Sequence, residues 1–174
     1  MRDSQLILLI TSFLLRYPDA EWYKELPTWK ADVDKVQHRQ LKQALLEFFD
    51  YIEAVDVKTF EDQYVRTFDF SQNTTMYLST YELQGTGEQA EELVKYKAFY
   101  LENDYDIPTE MPDYIPALLE LCAVLDDAKS EEIFNYCRPK LEYIRERLIE
   151  AKITYAFLFD IILAVANGLE EGAK

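Results

Sequence analysis

The residues that enzymes use most often for covalent or metal chemistry are scarce in this chain of 174 residues. His38 is the one histidine, and it lies in the polar stretch DKVQHRQLK. A zinc site built from His and Cys needs more ligands than His38, Cys122 and Cys137 supply. The sequence has no phosphate-binding loop, no GxGxxG and no HExxH pattern. We therefore predict a protein that is not an enzyme and that holds no metal and no cofactor. A glycosidase-like pair of carboxylates is the enzymatic alternative.

Aromatic residues set among turn-forming residues are a second chemical feature. The stretch YVRTFDFSQNTTMYLSTYEL places Tyr64, Phe68, Phe70, Tyr77 and Tyr81 around a run of Ser, Gln, Asn and Thr. Aromatic rings on irregular segments often line peptide-binding surfaces, where they bury a large area at a low cost in conformational entropy. The alternative is that these rings simply cover the core.

Two prolines frame a carboxylate and a phenol in the hexapeptide MPDYIP, which starts at Met111 and precedes an apolar run. A proline in the first turn of a helix loses nothing, because its N–H would lack an intrahelical acceptor anyway. We predict that Asp113 is the N-cap of a helix that starts at Tyr114, and that Pro112 stiffens the approach. Helix physics then explains both prolines and Asp113, but it gives Tyr114 no role.

The charge is strongly lopsided, with 33 acidic and 18 basic side chains and a net charge of −15. Residues 82–113 hold nine acids and two bases, and residues 47–69 hold seven acids and two bases. Such a surface repels nucleic acid and anionic membranes. It attracts a basic partner, mainly by speeding the encounter. The alternative is that the acidity only provides solubility.

The apolar stretch LILLITSFLL near the N-terminus is too short to span a bilayer and lacks a cleavage site of small residues. We predict that it is a buried first helix. Cys122 and Cys137 do not form a CxxC pair, and both are predicted to be small core residues in a protein of the reducing cytoplasm.

Helical spacing of apolar residues and only four glycines predict an all-α fold in a single domain, residues 1–174. Ser130 is the predicted cap of the helix at 130–151, which Pro139 should break or kink near Tyr136. Gly168 is a plausible stop of the last helix. The predicted helices cover about 4–17, a short one after Asp19, 37–54, 57–67, a short one at 76–81, 88–103, one from 115, 130–151 and 154–169.

The motifs YVRTFDFSQNTTMYLSTYE and YDIPTEMPDYIPALLEL, with a glycine turn and a helix between them, resemble the NarJ branch of the TorD-like redox enzyme maturation chaperones. The apolar start LILLITSFLLRYPD and the chain length are also similar. Many members have arginines after the glycine turn, whereas this chain reads GTGEQAEE, so a role that rests on those arginines does not carry over.

The resemblance implies a cytoplasmic, monomeric multi-helix bundle without catalysis. Its partner would be the N-terminal peptide of the apo catalytic (α) subunit of respiratory nitrate reductase. The chaperone would hold that subunit ready for insertion of molybdenum cofactor and iron–sulfur cluster, and delay its docking at the membrane. The alternative is a chaperone of the same fold that binds the twin-arginine leader of another molybdoenzyme.

By the same resemblance, the segment 69–116 lines the client groove. Its aromatic residues would hold apolar side chains of the client, while Asp69 and Asp113 would face basic ones. Asp113 as a helix cap only is the competing interpretation, and both roles coexist if one oxygen caps while the other faces the groove. The client-binding residues predicted in this way are Phe68, Asp69, Phe70, Tyr77, Pro112, Asp113 and Tyr114.

Overall fold

The computed structural model describes residues 1–71, 73–81 and 86–172. Within these ranges the chain forms eight α-helices and no strand beyond one isolated bridge, which confirms the all-α fold class. A π-helical turn, Val65–Asp69, follows α4, and 3-10 turns cover Val33–Lys35 and Leu78–Tyr81. The helices are α1 (Asp3–Leu14), α2 (Ala20–Asp32), α3 (Arg39–Ala54), α4 (Val57–Tyr64), α5 (Thr86–Leu101), α6 (Ile115–Val124), α7 (Asp127–Glu150) and α8 (Ala156–Gly172).

The N-terminal apolar stretch forms a buried first helix, as predicted. Helix α1 packs against α6 and α8, and both Ile10 and Leu14 are fully buried. The Ser12 hydroxyl donates to the Pro116 carbonyl over 2.7 Å and so ties α1 to the start of α6. Among the described residues, no helix combines the length and the apolar character needed to cross a membrane. The buried apolar residues form one continuous cluster. A single domain for residues 1–174 stays a prediction.

Carboxylates cap several helix starts. Asp19 accepts from the Trp22 N–H over 2.8 Å and caps α2, which has 13 residues where the sequence predicts a short helix. The prediction that Ser130 caps α7 is wrong, because Asp126 takes that role and accepts from the Lys129 N–H over 2.9 Å. Ser130 is instead buried, and its hydroxyl donates to the Cys122 carbonyl over 2.7 Å. It therefore joins α7 to α6 rather than starting a helix.

Two expected interruptions of helices do not occur, whereas a kink of α7 near Tyr136, the other outcome predicted for Pro139, stays a prediction. Pro139 lies inside α7, which runs without interruption from Asp127 to Glu150. Gly168 lies inside α8, which continues to Gly172. Both helices pack against each other, and tertiary contacts of this kind outweigh the local cost of one missing hydrogen bond or one flexible residue. The glycine turn expected at Gly85 lies outside the described residues.

The end of α4 departs from regular helix geometry. The Phe70 N–H donates to the carbonyl of Val65, five residues earlier, over 3.2 Å. This π-helical turn adds a residue to the helix and changes which side chains face inward. Thr67 and Phe68 are buried, whereas Asp69 and Phe70 are exposed.

Candidate functional site

The structure brings three of the predicted client-binding residues together through a short backbone pairing. The Leu78 N–H donates to the Asp113 carbonyl over 3.2 Å, and the Ile115 N–H donates to the Met76 carbonyl over 2.9 Å. Tyr77 and Tyr114 are therefore opposed, and their ring centroids lie 5.3 Å apart. Two segments far apart in sequence thus form one rigid element.

Asp113 does not cap α6, which corrects the prediction from sequence. The N-cap is Tyr114, without a side-chain cap, and Pro116 is the second helical residue. Asp113 is 1% exposed, and its Oδ2 accepts from the N–H and the hydroxyl of Ser79 over 2.8 and 2.6 Å. Its Oδ1 is buried and has no hydrogen-bond partner among the described residues. The carboxylate holds the 3-10 turn against residues 113–115 because Ser79 offers it two donors inside the protein.

Tyr114 is half-buried and joins this element to the core. Its hydroxyl interacts with that of Tyr64, which donates to the Leu15 carbonyl over 2.9 Å. Burial, followed by the charge of Glu110, raises the pKa of Tyr114 to about 12. The phenol therefore stays protonated at neutral pH.

Tyr114 also lines a cavity of about 300 Å³ between α1, α2 and Glu110. We call it the acidic cavity, because four carboxylates and a single guanidinium of the described residues line it, and that guanidinium, Arg16, is paired with Glu120. Aromatic rings form much of the remaining wall. The lining residues are Phe13, Arg16, Tyr17, Asp19, Glu21, Trp22, Glu25, Glu110 and Tyr114.

The α2 wall of this cavity was missed from sequence. Trp22 stacks on Phe13 with ring centroids 5.0 Å apart, and its indole N–H donates to the Phe13 carbonyl over 2.8 Å. Glu21 and Glu25 lie four residues apart and so share one face of the helix. Two acids at this spacing beside a tryptophan are the sequence signal for this wall. The larger clusters of acids at residues 47–69 and 82–113 outweigh it.

Tyr17 connects the acidic cavity to the predicted residue Asp69. The Tyr17 hydroxyl hydrogen-bonds the Glu61 carboxylate, and this bond raises the pKa of Tyr17, to which the charges of Asp69 and Asp19 add. The Tyr17 ring lies edge-on to Tyr64, with centroids 5.6 Å apart. Asp69 therefore belongs to the electrostatic surroundings of the acidic cavity.

Phe68 and Phe70 do not lie on the same surface. Phe68 is 4% exposed and packs in the core, with its ring centroid 4.9 Å from that of Tyr155. Phe70 is 81% exposed. Pro112 is half-buried beside Asp113. The π-helical turn separates the two phenylalanines, a separation that sequence spacing alone does not reveal.

The histidine and the two cysteines, considered above as catalytic or metal-binding residues, have structural contacts. His38 caps α3, and its Nδ1 accepts from the Leu41 N–H over 3.2 Å. Cys122 and Cys137 are buried, as predicted, and burial raises the pKa of both thiols, that of Cys137 to about 12. Among the described residues, no group of three or more His, Cys, Asp or Glu is placed to hold a metal ion.

Sequence comparisons point to one family. The family model for the nitrate reductase delta subunit matches residues 33–159. The chain is 32% identical over 169 residues to the probable nitrate reductase molybdenum cofactor assembly chaperone NarJ of Bacillus subtilis (strain 168), covering 96% of this chain and 91% of that protein.

More distant matches agree. The nitrate reductase molybdenum cofactor assembly chaperone NarJ of Escherichia coli (strain K12) is 28% identical over 163 residues, 92% of this chain and 69% of that protein. The nitrate reductase-like protein NarX of Mycobacterium tuberculosis (strain ATCC 25618 / H37Rv) is 26% identical over 146 residues, 83% of this chain but 22% of that protein. Both NarJ proteins are named as chaperones, a class that is not enzymatic. On the extent of these matches, the chain belongs to the nitrate reductase delta subunit family.

Proposed function

We propose that this protein is a dedicated cytoplasmic assembly chaperone of respiratory nitrate reductase. It binds the N-terminal peptide of the apo catalytic (α) subunit as a monomer. While bound, it keeps that subunit ready to receive molybdenum cofactor and an iron–sulfur cluster, and it delays docking at the membrane. The names of the NarJ relatives support the client, and the acidic cavity supports the mode of binding.

The lining of the acidic cavity is the observation that carries this proposal. A lysine or arginine side chain has an apolar stem and a charged head. Rings such as Tyr17 and Tyr114 can pack along the stem. Glu25 and Glu110 face the charge, whereas Glu21 already pairs with Lys24. A volume of about 300 Å³ suits one or two such side chains. The cavity therefore fits basic residues of a peptide.

Exposed apolar side chains on the predicted groove segment 69–116 supply the second half of the site. Phe70 is 81% exposed, Met111 is 49% exposed, and Tyr105 and Ile107 are also exposed. An amphipathic helix that lays its apolar face in a groove needs contacts of this kind. Its basic residues would then lie toward the acidic cavity and Asp69.

Asp113 has an indirect role in this proposal. Its carboxylate is buried, so a client meets Tyr77 and Tyr114 rather than Asp113 itself. By holding Ser79, Asp113 fixes the position of both tyrosines. Binding requires no proton transfer, because Tyr114 stays protonated. Chaperoning here is selective binding that ends when the mature subunit folds.

The direct test is a titration with a peptide that corresponds to the N-terminal segment of the nitrate reductase α subunit. We expect a saturable one-to-one complex that weakens as salt screens the carboxylates. A peptide of the same composition in scrambled order is the matched control. No interaction at low salt would exclude the proposal.

A second client is the main alternative, because four carboxylates around one cavity also suit the adjacent arginines of a twin-arginine leader. A leader peptide from another molybdoenzyme, titrated beside the α-subunit peptide, separates the two. Tighter binding of the leader would assign this chain to another client while leaving the acidic cavity as the site.

A further inference from the structure

A second cavity has the opposite electrostatic character. Its volume is about 280 Å³, and it lies where the end of α4 meets the turn between α7 and α8. Among the described residues, two cations, Arg66 and Lys152, line it, and no carboxylate does. We call it the basic cavity. In a chain with a net charge of −15, such a lining is unexpected. The lining residues are Tyr51, Gln63, Arg66, Thr67, Lys152, Ile153, Thr154 and Tyr155.

The two cations are not used to hold the protein together. Neither Arg66 nor Lys152 forms an ion pair with any residue in the described part of the chain, and both are exposed. Elsewhere Lys140 pairs with Glu92, and Arg145 with Asp160. Where acids outnumber bases by almost two to one, two neighbouring cations without carboxylate partners are available to a ligand.

The backbone at Lys152 adds a further reason to regard this side chain as functional. Lys152 has φ 57°, in the left-handed region, and directly follows Ala151, the C-cap of α7. Glycine is the usual residue at this position, because a side chain is strained there. The lysine therefore adopts an unfavourable conformation at a position that lines the cavity.

Neutral donors complete the wall. The Tyr51 hydroxyl hydrogen-bonds Gln63 Oε1, which directs that oxygen to Tyr51 and leaves the amide NH₂ of Gln63 free to donate. Thr154 contributes a hydroxyl. Tyr155 is 1% exposed, and its hydroxyl has no hydrogen-bond partner among the described residues. In the described part of the chain, the lining thus combines two cations with uncharged donors and includes no carboxylate.

From this lining we propose that the basic cavity binds a small phosphate-bearing anion, such as a phosphate ester or a diphosphate. Phosphate oxygens accept several hydrogen bonds at once, and Arg66 is suited to donate two in parallel. The first turn of α8 follows the cavity directly and adds the positive end of a helix dipole. A volume of about 280 Å³ admits a phosphorylated small molecule but not a folded partner. This inference rests on residues separate from the peptide site.

The test uses pyrophosphate as the probe and the full-length chain at low ionic strength, followed by calorimetry and by ³¹P line broadening. Because the protein as a whole repels anions, saturable binding requires a local site. We expect one-to-one binding of pyrophosphate, weaker binding of inorganic phosphate, and weaker binding still of citrate, which presents planar carboxylates.

Three variants locate the site. Arg66→Gln and Lys152→Gln should each weaken pyrophosphate binding about tenfold or more, as expected for the loss of a charged donor. Lys152→Gly should weaken it as much while the protein unfolds at the same or a higher temperature, since glycine relieves the backbone strain. Lys129→Gln removes an exposed lysine near the other end of α7 and should leave binding unchanged.

Absence of saturable pyrophosphate binding to the wild-type chain would overturn the proposal. So would equal losses in Lys129→Gln and in the two cavity variants, because binding would then depend on overall charge alone. Tighter binding of citrate than of pyrophosphate would replace phosphate by carboxylate as the ligand class. None of these results alters the peptide titration, so the two proposals fail separately.

Discussion

The acidic cavity and the basic cavity are similar in size, about 300 and 280 Å³, and opposite in charge. Both depend on α4 and the π-helical turn that follows it. Tyr64 and Asp69 belong to the surroundings of the acidic cavity, whereas Gln63 and Arg66 line the basic one. Neighbouring residues thus serve different sites, because successive residues of a helix point in different directions.

The two cavities also differ in how the rest of the molecule affects them. The net charge of −15 reinforces the acidic cavity, so a basic peptide is drawn from a distance and the association should depend on salt. The same field opposes an anion near Arg66 and Lys152, which must hold it by local hydrogen bonds. Variants that disturb one cavity should therefore leave the other intact.

The largest effect is expected from Asp113→Ala. It leaves the Ser79 N–H and hydroxyl buried without their acceptor, so we expect the free energy of unfolding to fall by about 3 kcal/mol. Denaturant unfolding measures this. Asp126→Ala, which removes a plain helix cap, is the control and should cost about 1 kcal/mol. Equal losses would mean that Asp113 contributes no more than an ordinary cap.

Next comes Tyr114→Ala, which removes an aromatic wall of the acidic cavity. We expect peptide binding to weaken by about 2 kcal/mol, roughly thirtyfold, as for a central aromatic contact. Phe157→Ala removes an exposed aromatic ring of α8 that lines neither cavity and is the matched control. Pyrophosphate binding should not change. A loss of both ligands in Tyr114→Ala would show that the cavities are not independent.

A smaller effect is expected from Glu110→Lys, which reverses one charge at the acidic cavity. Peptide binding at low salt should weaken about fivefold, and its dependence on salt should become shallower, since exposed charges are well screened. Glu132→Lys, on the exposed surface of α7, carries the same change in net charge. If both variants lose the same affinity, the overall field attracts the peptide and the cavity does not select it.

The smallest effect is expected from Lys152→Gly on stability. Glycine at φ 57° should raise the free energy of unfolding by at most about 1 kcal/mol. Thermal unfolding at constant pH measures the change, and peptide binding should be unaffected. A destabilised Lys152→Gly protein would mean that the lysine side chain holds the α7–α8 turn together.

Local sequence pattern predicts most of the helices and singles out the motif at residues 111–116. It does not reveal the hydrogen-bond partners of the residues in that motif. The spacing of apolar residues predicted α1, α3 and α6 to within a few residues. Asp113 looked like a cap because its local surroundings satisfy the rules for one. Its actual partner, Ser79, lies 34 residues away and is brought close only by the backbone pairing of Tyr77 with Tyr114.

The same limit explains the wall of the acidic cavity. Tyr114 was singled out because helix physics left it unexplained, and the structure places it in the cavity. The sequence does not predict Glu21 and Glu25 as site residues, because nothing in it indicates that α2 lies beside residue 114. The break predicted at Pro139 is absent for a related reason: the rule for proline considers only the local chain, whereas α7 also packs on α8.

The acidic cavity can be observed directly, because both tryptophans of the chain, Trp22 and Trp29, lie in α2. Trp22 lines the cavity, and Phe13 stacks on both indoles. A Trp29→Phe variant therefore reports on Trp22 alone. Titrated with the α-subunit N-terminal peptide at low salt, its fluorescence should change saturably, and added salt should reverse the change. Binding detected by calorimetry without any change in Trp22 emission would contradict the placement of the peptide in the acidic cavity.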